Sequence, residues 1–235
     1  MNEKKYCSAV IPAAGTGVRM GTEIKKQFLK LGEKEIIAST IEKFEQCHEV
    51  DEIVLSTAKD MMELLTQIVE REKFKKVSAI VEGGKERQHS VYAGLCAINK
   101  SAEIIVVHDG VRPFVTVEDI AKTIAVAKQR GACVLGVKAK DTVKICNTQN
   151  EIVTTPERNF VWNIQTPQAF QKDILIRAFQ RAEKENFVGT DESVLAERDG
   201  TVVSVVEGHY ENIKITTPDD MIIGKAFLKK EKGIL

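Results

Sequence analysis

Residues 8–21, SAVIPAAGTGVRMG, place an apolar run directly before a turn of small residues and glycines. Such a run is typical of a buried strand, and the turn after it can present backbone N–H groups to an anion. The spacing of the glycines fits neither of the two common phosphate motifs. The third glycine, Gly21, comes one position too late for a dinucleotide fingerprint, and no lysine follows it as in a P-loop. The stretch does carry Arg19, and Lys25 and Lys26 follow it, which favours a phosphate site of another kind over a plain connection.

Apolar runs alternate with helical periodicity along most of the chain. EIVLST, KVSAIVE and EIIVVHD read as strands, whereas EIIASTIEKFEQC places Ile37, Ile41 and Phe44 on one helix face. VEDIAKTIAVAKQRG reads as a helix that ends at Gly131, and Thr217 is the N-cap of a last helix. This alternation predicts an α/β fold, with a mostly parallel twisted sheet and helices on both faces. Ligands of such sheets bind beyond the carboxyl ends of the strands.

Composition excludes several classes of partner. Lysine and arginine together number 34, as do aspartate and glutamate, so no overall charge favours nucleic acid or a membrane surface. The five cysteines show no Cys-x-x-Cys spacing, which indicates reduced thiols. No apolar run approaches the roughly 18 residues of a membrane span, and the first residues lack the apolar segment of a signal peptide. We therefore expect a cytoplasmic protein with a single domain over residues 1–235.

The alternation changes after Val137. DTVKIC and EIVTT, on either side of NTQN, predict two short strands around a polar turn. Their apolar stripe is thin, with Val143 and Ile145 on one strand and Ile152 on the other, and a lone hairpin is marginal in water. The segment at about 138–160 is therefore predicted to be a protruding arm that packs on something else, such as another subunit.

Polar residues collect where the predicted strands end. GGKERQHS follows a strand, with Gly84 in the turn and Ser90 near a helix start, although an ordinary connecting loop would have the same composition. Asp109 ends EIIVVHD, and Arg112 follows three residues later. A carboxylate in that place suits Mg²⁺, which is usually held by one or two carboxylates plus substrate phosphates. The less favoured alternative is a carboxylate that caps a turn.

These residues predict a pocket with several cations and one acid. Lys214 is predicted on a further strand, NIKIT, between isoleucines, and His108 receives no role. No G-x-S-x-G motif or telling Cys/His spacing supplies a nucleophile with its base. Phosphoryl or nucleotidyl transfer needs none, because its catalysis is mostly positioning and charge stabilisation.

Eight motifs in order carry a family resemblance over nearly the whole chain: AAGTGVRMG, KKQF, GGKERQHSV, VHDGVRPF, DTVK, QTPQAF, TDES and NIKITTPDD. They resemble the 2-C-methyl-D-erythritol 4-phosphate cytidylyltransferase family. The resemblance implies a Rossmann-like nucleotidyltransferase fold and a homodimer joined through the arm. It also implies the reaction of CTP with methylerythritol phosphate to give diphosphocytidyl methylerythritol and pyrophosphate, with Mg²⁺.

The resemblance also implies roles for residues that match the family's motifs. Arg19 and Lys26 would stabilise the triphosphate charge in the transition state, and Asp109 would hold Mg²⁺. The residues expected to bind CTP are Ala13, Ala14, Gly15, Gly84, Lys85, Ser90 and Gly110. Those expected to bind methylerythritol phosphate are Arg112, Thr142, Arg158, Thr166, Thr190 and Lys214.

Two positions depart from the family pattern. Lys25 stands where the family usually has proline, so we expect its side chain to face solvent. Gly110 stands where the family usually has alanine, which predicts a looser turn beside the ribose. Neither change removes a functional group.

Three other functions share part of this pattern. A ribitol-5-phosphate cytidylyltransferase would share the nucleotide half, but VWNIQTPQAF and TDESVLAE look more like the methylerythritol family. A nucleotide-binding regulatory module without turnover is disfavoured by the intact set of Arg19, Lys26 and Asp109. A dehydrogenase is disfavoured by the position of the third glycine.

Overall fold

The computed structural model describes residues 5–15, 25–231 and 233. The strands are β1 (Cys7–Ala13), β2 (Lys30–Leu31), β3 (Lys34–Glu35), β4 (Glu52–Thr57), β5 (Val77–Glu82), β6 (Ile104–Val107), β7 (Ala132–Lys138), β8 (Ile145–Cys146), β9 (Ile152–Thr154), β10 (Trp162–Gln171) and β11 (Ser204–Glu207). The α-helices are α1 (Ile36–Gln46), α2 (Met62–Glu72), α3 (Arg87–Ala97), α4 (Val117–Arg130), α5 (Lys172–Lys184), α6 (Glu192–Arg198) and α7 (Pro218–Glu231).

Seven strands form the central sheet, in the order β11-β7-β10-β6-β1-β4-β5. β1 pairs in parallel with β4 and β6, β4 with β5, and β7 with β11. Among the described strands of this sheet, β10 is the one that runs antiparallel, between β6 and β7. The predicted mostly parallel α/β sheet is therefore confirmed.

Strand β10 was not predicted, because QTPQAF was assigned only to ligand binding. Pro167 lies in its middle and lacks the N–H group that a ladder hydrogen bond requires. The pairing of β10 with β7 is accordingly interrupted and shifts in register between Ile164 and Gln168. Such irregular positions are common beside binding sites, and here they free Gln165 and Thr166 from the ladder.

Helices cover both faces of the sheet, as predicted. Ile11 of β1 belongs to the core beneath α1, α2 and α4, whereas its neighbour Val10 belongs to the core beneath α3, α5 and α6. Adjacent residues of a strand point to opposite faces, so β1 contributes to both cores. The predicted apolar face of α1 (Ile37, Ile41 and Phe44) is fully buried.

Two helix ends follow the predicted capping chemistry. α4 ends at Gly131, whose φ of 93° is a conformation that glycine adopts without steric strain. α7 begins with Thr217, whose hydroxyl accepts a hydrogen bond from the Asp220 N–H at 3.3 Å.

The arm is an antiparallel hairpin, as predicted. β8 and β9 form a two-stranded sheet that is separate from the central one. Ile145, Ile152 and Val153 of this hairpin are exposed, and Phe160 just beyond it is 78% exposed. The single chain therefore exposes several apolar side chains on and beside the arm.

Helix α3 packs closely on β1 at Gly94. A Cβ added at Gly94 would lie 2.5 Å from Cγ1 of the fully buried Val10. Gly224 in α7 is less constrained, because a Cβ there would lie 3.3 Å and 3.4 Å from the ends of Leu31 and Ile215.

We expect Gly94→Ala to lower the free energy of unfolding by about 1–3 kcal/mol, because the added methyl group forces α3 away from β1. Gly224→Ala is the matched control: its free energy of unfolding should stay within about 1 kcal/mol of the wild type, since alanine also favours the helix. Chemical denaturation measures both, and equal stability of the two variants would contradict the packing argument.

Candidate active site

Three turns meet at one edge of the central sheet, because β5, β1 and β6 all point their carboxyl ends there. They enclose a cavity of about 280 Å³, called the first cavity below. Its walls include residues 12–15 at the end of β1 and just beyond it, residues 84–87 and Ser90 after β5, and Asp109 and Val111 after β6. The structure thus brings together these predicted nucleotide-binding residues: Ala13, Ala14, Gly15, Gly84, Lys85 and Ser90.

Close packing requires glycine at positions 83 and 84. A Cβ at Gly84 would overlap the side chain of His89, and one at Gly83 would lie 2.6 Å from the Ala14 Cβ. Without a side chain at position 83, the turn after β5 lies directly against the turn after β1, and without one at position 84 it lies against the first turn of α3. Ser90 stabilises this arrangement, because its hydroxyl accepts a hydrogen bond from the Gly84 N–H at 3.1 Å.

Gln27 joins the turn after β1 to the short 3₁₀ helix Lys26–Phe28. Its side chain is buried, and Nε2 donates to the Ala13 carbonyl at 2.5 Å and to the Gly15 carbonyl at 3.2 Å. Carbonyl groups only accept, so the two bonds set the orientation of the amide. Lys26 is thereby held in the wall of the first cavity, where the sequence predicted it.

Lys25 does not simply face solvent, so that expectation was wrong. Its side chain is 19% exposed, and Nζ lies 2.6 Å and 2.8 Å from the two carboxylate oxygens of Asp60. Its φ of −60° is nevertheless the value that a proline would impose. The lysine therefore leaves the backbone in the conformation compatible with the family's proline.

A second cavity of about 270 Å³ adjoins the first, and Arg87, Asp109 and Lys214 border both. Its other walls come from the segment after β6, from β10 and from the turn before α6: Arg112, Ile164, Gln165, Thr166, Gln168, Thr190 and Asp191. Four predicted substrate-binding residues, Arg112, Thr166, Thr190 and Lys214, are therefore in one place.

Asp109 is the acid between the two cavities. Its almost fully buried carboxylate accepts from Arg87 Nε at 2.8 Å through Oδ1. Oδ2 lies 2.9 Å from Lys214 Nζ and 3.5 Å from Arg112 Nε. Burial alone would raise the pKa of Asp109, but the three cations outweigh it and hold the pKa far below its usual value. The carboxylate is therefore ionised throughout the physiological pH range.

His108 is fully buried and orients Thr166, a role that the sequence did not suggest. Its Nε2 lies 3.1 Å from the Arg112 carbonyl oxygen, so this nitrogen carries the proton. Burial lowers the pKa of His108 to about 3, so the ring is neutral and Nδ1 accepts from the Thr166 hydroxyl at 3.0 Å. Thr166 in turn accepts from the Asp109 N–H at 3.1 Å. This chain of hydrogen bonds sets the Thr166 side chain at the wall of the second cavity.

Gly110 does not line the first cavity, which corrects its predicted place. It is buried beneath the wall, where its N–H donates to the Pro12 carbonyl at 3.2 Å and its carbonyl accepts from the Thr40 hydroxyl at 3.2 Å. A Cβ there would lie 2.8 Å from Cδ1 of Ile37. The turn is therefore well packed, and the expected loosening at this position is not found.

Four predicted site residues remain: Thr142, Arg158, Arg19 and Lys214. Thr142 and Arg158 are exposed on the arm and border neither cavity of the single chain. Arg19 lies in residues 16–24, outside the described residues. Lys214 is at the site, but not on a strand: its segment is irregular and is held by the Ile215 N–H, which donates to the Val111 carbonyl at 2.9 Å.

Arg87 and Glu192 were missed, although GGKERQHS and TDES contain them. Arg87 Nη1 donates to Glu192 Oε1 at 2.7 Å, and the Glu192 side chain is 1% exposed. Residue type could not reveal this pair, because most charged side chains are solvated. The available signal was their position beside residues already predicted for the site.

No group of three or more His, Cys, Asp or Glu side chains is placed to hold a metal ion in the described part of the chain. The predicted metal ligand, Asp109, stands apart from such a group, and both of its carboxylate oxygens already face cations. The five cysteines are free thiols. Within the described ranges, no helix combines the length and the apolar character that crossing a membrane would require.

Known proteins resemble this chain along almost its whole length. The family model described as 2-C-methyl-D-erythritol 4-phosphate cytidylyltransferase (IspD) matches residues 7–230. A protein of that name from Clostridioides difficile is 46% identical over 226 residues, which cover 96% of this chain and 94% of the relative. One from Alkaliphilus oremlandii is 42% identical and covers 96% of each chain.

Solved structures agree with the sequence relatives. The crystal structure of 4-diphosphocytidyl-2C-methyl-D-erythritol synthase from Anaerococcus prevotii superposes with a TM-score of 0.87 at 36% identity and covers 97% of each chain. The cytidylyltransferase from Thermus thermophilus superposes with a TM-score of 0.77 at 27% identity, covering 95% of this chain and 99% of that one. On this evidence, the chain belongs to the 2-C-methyl-D-erythritol 4-phosphate cytidylyltransferase family.

Proposed function

We propose that this chain transfers a cytidylyl group from CTP to 2-C-methyl-D-erythritol 4-phosphate and releases pyrophosphate. The observation that carries the proposal is the pair of adjoining cavities that share Arg87, Asp109 and Lys214. A nucleotide and a phosphorylated acceptor fit side by side there, with cations where their phosphates meet. The reaction needs no protein nucleophile, because the acceptor's own phosphate attacks.

The first cavity receives the nucleotide. Its base and ribose lie against the backbone of the turns after β1 and β5, which close packing has brought together. The triphosphate extends toward Lys26, and the family motif gives Arg19 the same task. These cations stabilise the charge that builds up on the departing pyrophosphate, in the way that preorganised donors stabilise other transition states.

The second cavity receives the acceptor. Arg112, Thr166 and Thr190 surround its phosphate and polyol. An oxygen of this phosphate forms a bond to the α-phosphorus of CTP, while the bond from that phosphorus to the pyrophosphate oxygen breaks and its electron pair leaves with pyrophosphate. Lys214 stands at the junction, and its side chain is 37% exposed, so it can turn from Asp109 toward a phosphate oxygen.

We assign Mg²⁺ to this site, with Asp109 as its ligand from the protein. One carboxylate is enough when substrate phosphates complete the coordination. Both oxygens of Asp109 already face cations, Arg87 at one and Lys214 at the other. The carboxylate therefore fits the ion only when a triphosphate is also bound, because the negative charge of the triphosphate competes with Asp109 for Lys214. When bound, the ion neutralises phosphate charge and polarises the phosphoryl group.

We also propose a homodimer in which the arm at about 138–160 reaches the partner's active site. The exposed apolar side chains of the arm support this, since a two-stranded hairpin is marginal unless it packs on something. In the single chain Arg158 donates to the Lys140 carbonyl at 3.2 Å, away from both cavities. Thr142 and Arg158 would then serve the acceptor bound to the partner chain.

The remaining parts of the proposal concern organisation and location. Residues 1–235 act as one domain with this arm, and the free thiols suit the reducing cytoplasm. Neither nucleic acid nor a membrane is a partner.

Turnover of CTP with methylerythritol phosphate, measured beside ribitol 5-phosphate by pyrophosphate release, tests the proposed reaction. Preference for ribitol 5-phosphate would replace the proposed acceptor, and no turnover of either would refute the transfer.

We expect Lys26→Ala to lower kcat by about 10²–10³ with little change in CTP affinity, because its donor acts on charge that develops in the transition state. Lys25→Ala is the matched control. It removes an ion pair with an exposed carboxylate, which contributes little because solvent screens it, so its kcat should stay close to that of the wild type. Steady-state kinetics and CTP titration measure both. A raised KM at normal kcat in Lys26→Ala would make this lysine a binding residue only.

We expect Arg158→Ala and Lys26→Ala to complement each other in mixed dimers. In a mixed dimer, the site of the Arg158→Ala chain keeps its own Lys26 and receives an intact Arg158 from the partner, whereas the other site carries both defects. Random exchange makes half of the dimers mixed, so activity should recover to about a quarter of the wild-type value, both parents being nearly inactive. Mass spectrometry verifies the exchange. Exchange without recovery would show that the arm serves its own chain.

A further inference from the structure

Arg87 connects the two cavities through one planar side chain. It is the first residue of α3 and borders both cavities. Its Nε donates to Asp109 Oδ1 at 2.8 Å, and its Nη1 donates to Glu192 Oε1 and Oε2 at 2.7 Å and 3.0 Å. The end of β6 is thereby joined to the start of α6. The rigid fork of a guanidinium suits this double task, which the single ammonium group of a lysine does not match.

Glu192 depends on this contact. Its carboxylate is buried, and within the described residues Arg87 is the cation paired with it. Burial raises the pKa of Glu192, and the charge of Arg87 opposes that rise. A buried carboxylate that loses its partner is strongly unfavourable. The contact with Arg87 therefore stabilises Glu192 at the start of α6.

The turn before α6 forms part of the second cavity through Thr190 and Asp191. Asp191 Oδ2 accepts from Gln168 Nε2 of β10 at 2.8 Å. On the other side, Gln88 Oε1 of α3 accepts from the Gly189 N–H at 2.8 Å. The turn before α6 is thus held by both α3 and β10. The buried ion pair between Arg87 and Glu192 is the charged contact between this segment and α3.

We propose that Glu192, acting through Arg87, is a positioning residue for the phosphorylated acceptor. The ion pair holds Thr190 and Asp191 at the distance from Asp109 that acceptor binding requires. The inference rests on the proposed cytidylyl transfer, because it assigns the acceptor to the second cavity. Glu192 itself borders neither cavity, so substituting it removes no direct contact with CTP or acceptor.

The first test is independent of turnover and uses hydrogen exchange measured by mass spectrometry. Glu192→Gln keeps the shape of the side chain and removes its charge, whereas Arg87→Lys keeps the charge and removes the fork. Both should speed exchange in residues 187–192 and leave residues 7–13 unchanged. Glu197→Gln, at an exposed position of the same helix, is the matched control and should behave as the wild type. Wild-type exchange rates in residues 187–192 of both variants would overturn the proposal.

The second test separates acceptor binding from nucleotide binding. Glu192→Gln should raise the KM for methylerythritol phosphate about tenfold, within the range of coupling energies between contacting residues, and change the Kd for CTP by less than about twofold. The double variant Arg87→Lys/Glu192→Gln should be no worse than the poorer single variant, because the pair can be broken only once.

Three results would overturn the proposal: an unchanged acceptor KM, an equal loss of CTP affinity, or additive effects in the double variant. Unfolding of both single variants would also overturn it, since the pair would then serve stability alone. Absence of turnover in the wild type and in Glu197→Gln would instead refute the proposed transfer, and hydrogen exchange would still decide the role of Glu192.

Discussion

The site depends on one buried carboxylate surrounded by cations. Asp109 follows β6 and accepts from Arg87 of α3, while Lys214 and Arg112 approach its other oxygen. Without that carboxylate, three like charges would face one another in a partly desolvated space. With it, segments that are far apart in the chain share one electrostatic centre before any ligand binds. Such preorganisation is what a reaction that develops charge on phosphates requires, because the donors need not be rearranged during the reaction.

Backbone packing around this centre is equally restrictive. Gly83 allows the turn after β5 to lie on the turn after β1, where a Cβ would overlap Ala14, and Gly84 allows the same turn to lie against His89 of α3. Gln27 then joins the turn after β1 to the helix that carries Lys26. The turns that wall the first cavity are therefore held in place by steric contact and amide hydrogen bonds. A wall of this kind suits a flat base and a ribose, which need close approach more than additional charge.

The antiparallel strand β10 makes the second cavity possible. It lies between β6 and β7, and its pairing with β7 is interrupted between Ile164 and Gln168, so Gln165 and Thr166 are available to the site. His108 orients Thr166 from below, and Gln168 contacts the turn before α6 through Asp191. The second cavity is thus assembled from a strand irregularity and from contacts with α3. It differs in construction from the first cavity, whose walls come mainly from the turns that follow β1 and β5.

Local sequence was enough to predict the alternation of strands and helices, the caps of α4 and α7, and the edge at which the site lies. These features depend on periodicity and turn chemistry, and parallel strands necessarily bring their carboxyl ends together. Asp109, Lys26 and the residues of the glycine turns were also predictable, because each follows a predicted strand or belongs to a family motif.

The tertiary structure, in contrast, decides which charged and polar side chains contact one another. Arg87 and Glu192 are 105 residues apart, and nothing in their local sequence distinguishes a buried pair from two solvated surface charges. His108 acquires its role only through contact with Thr166, 58 residues away, and β10 is obscured locally because a proline interrupts it. Partner identity is a property of long-range packing, and the energy of a charge depends on whether that packing removes it from water.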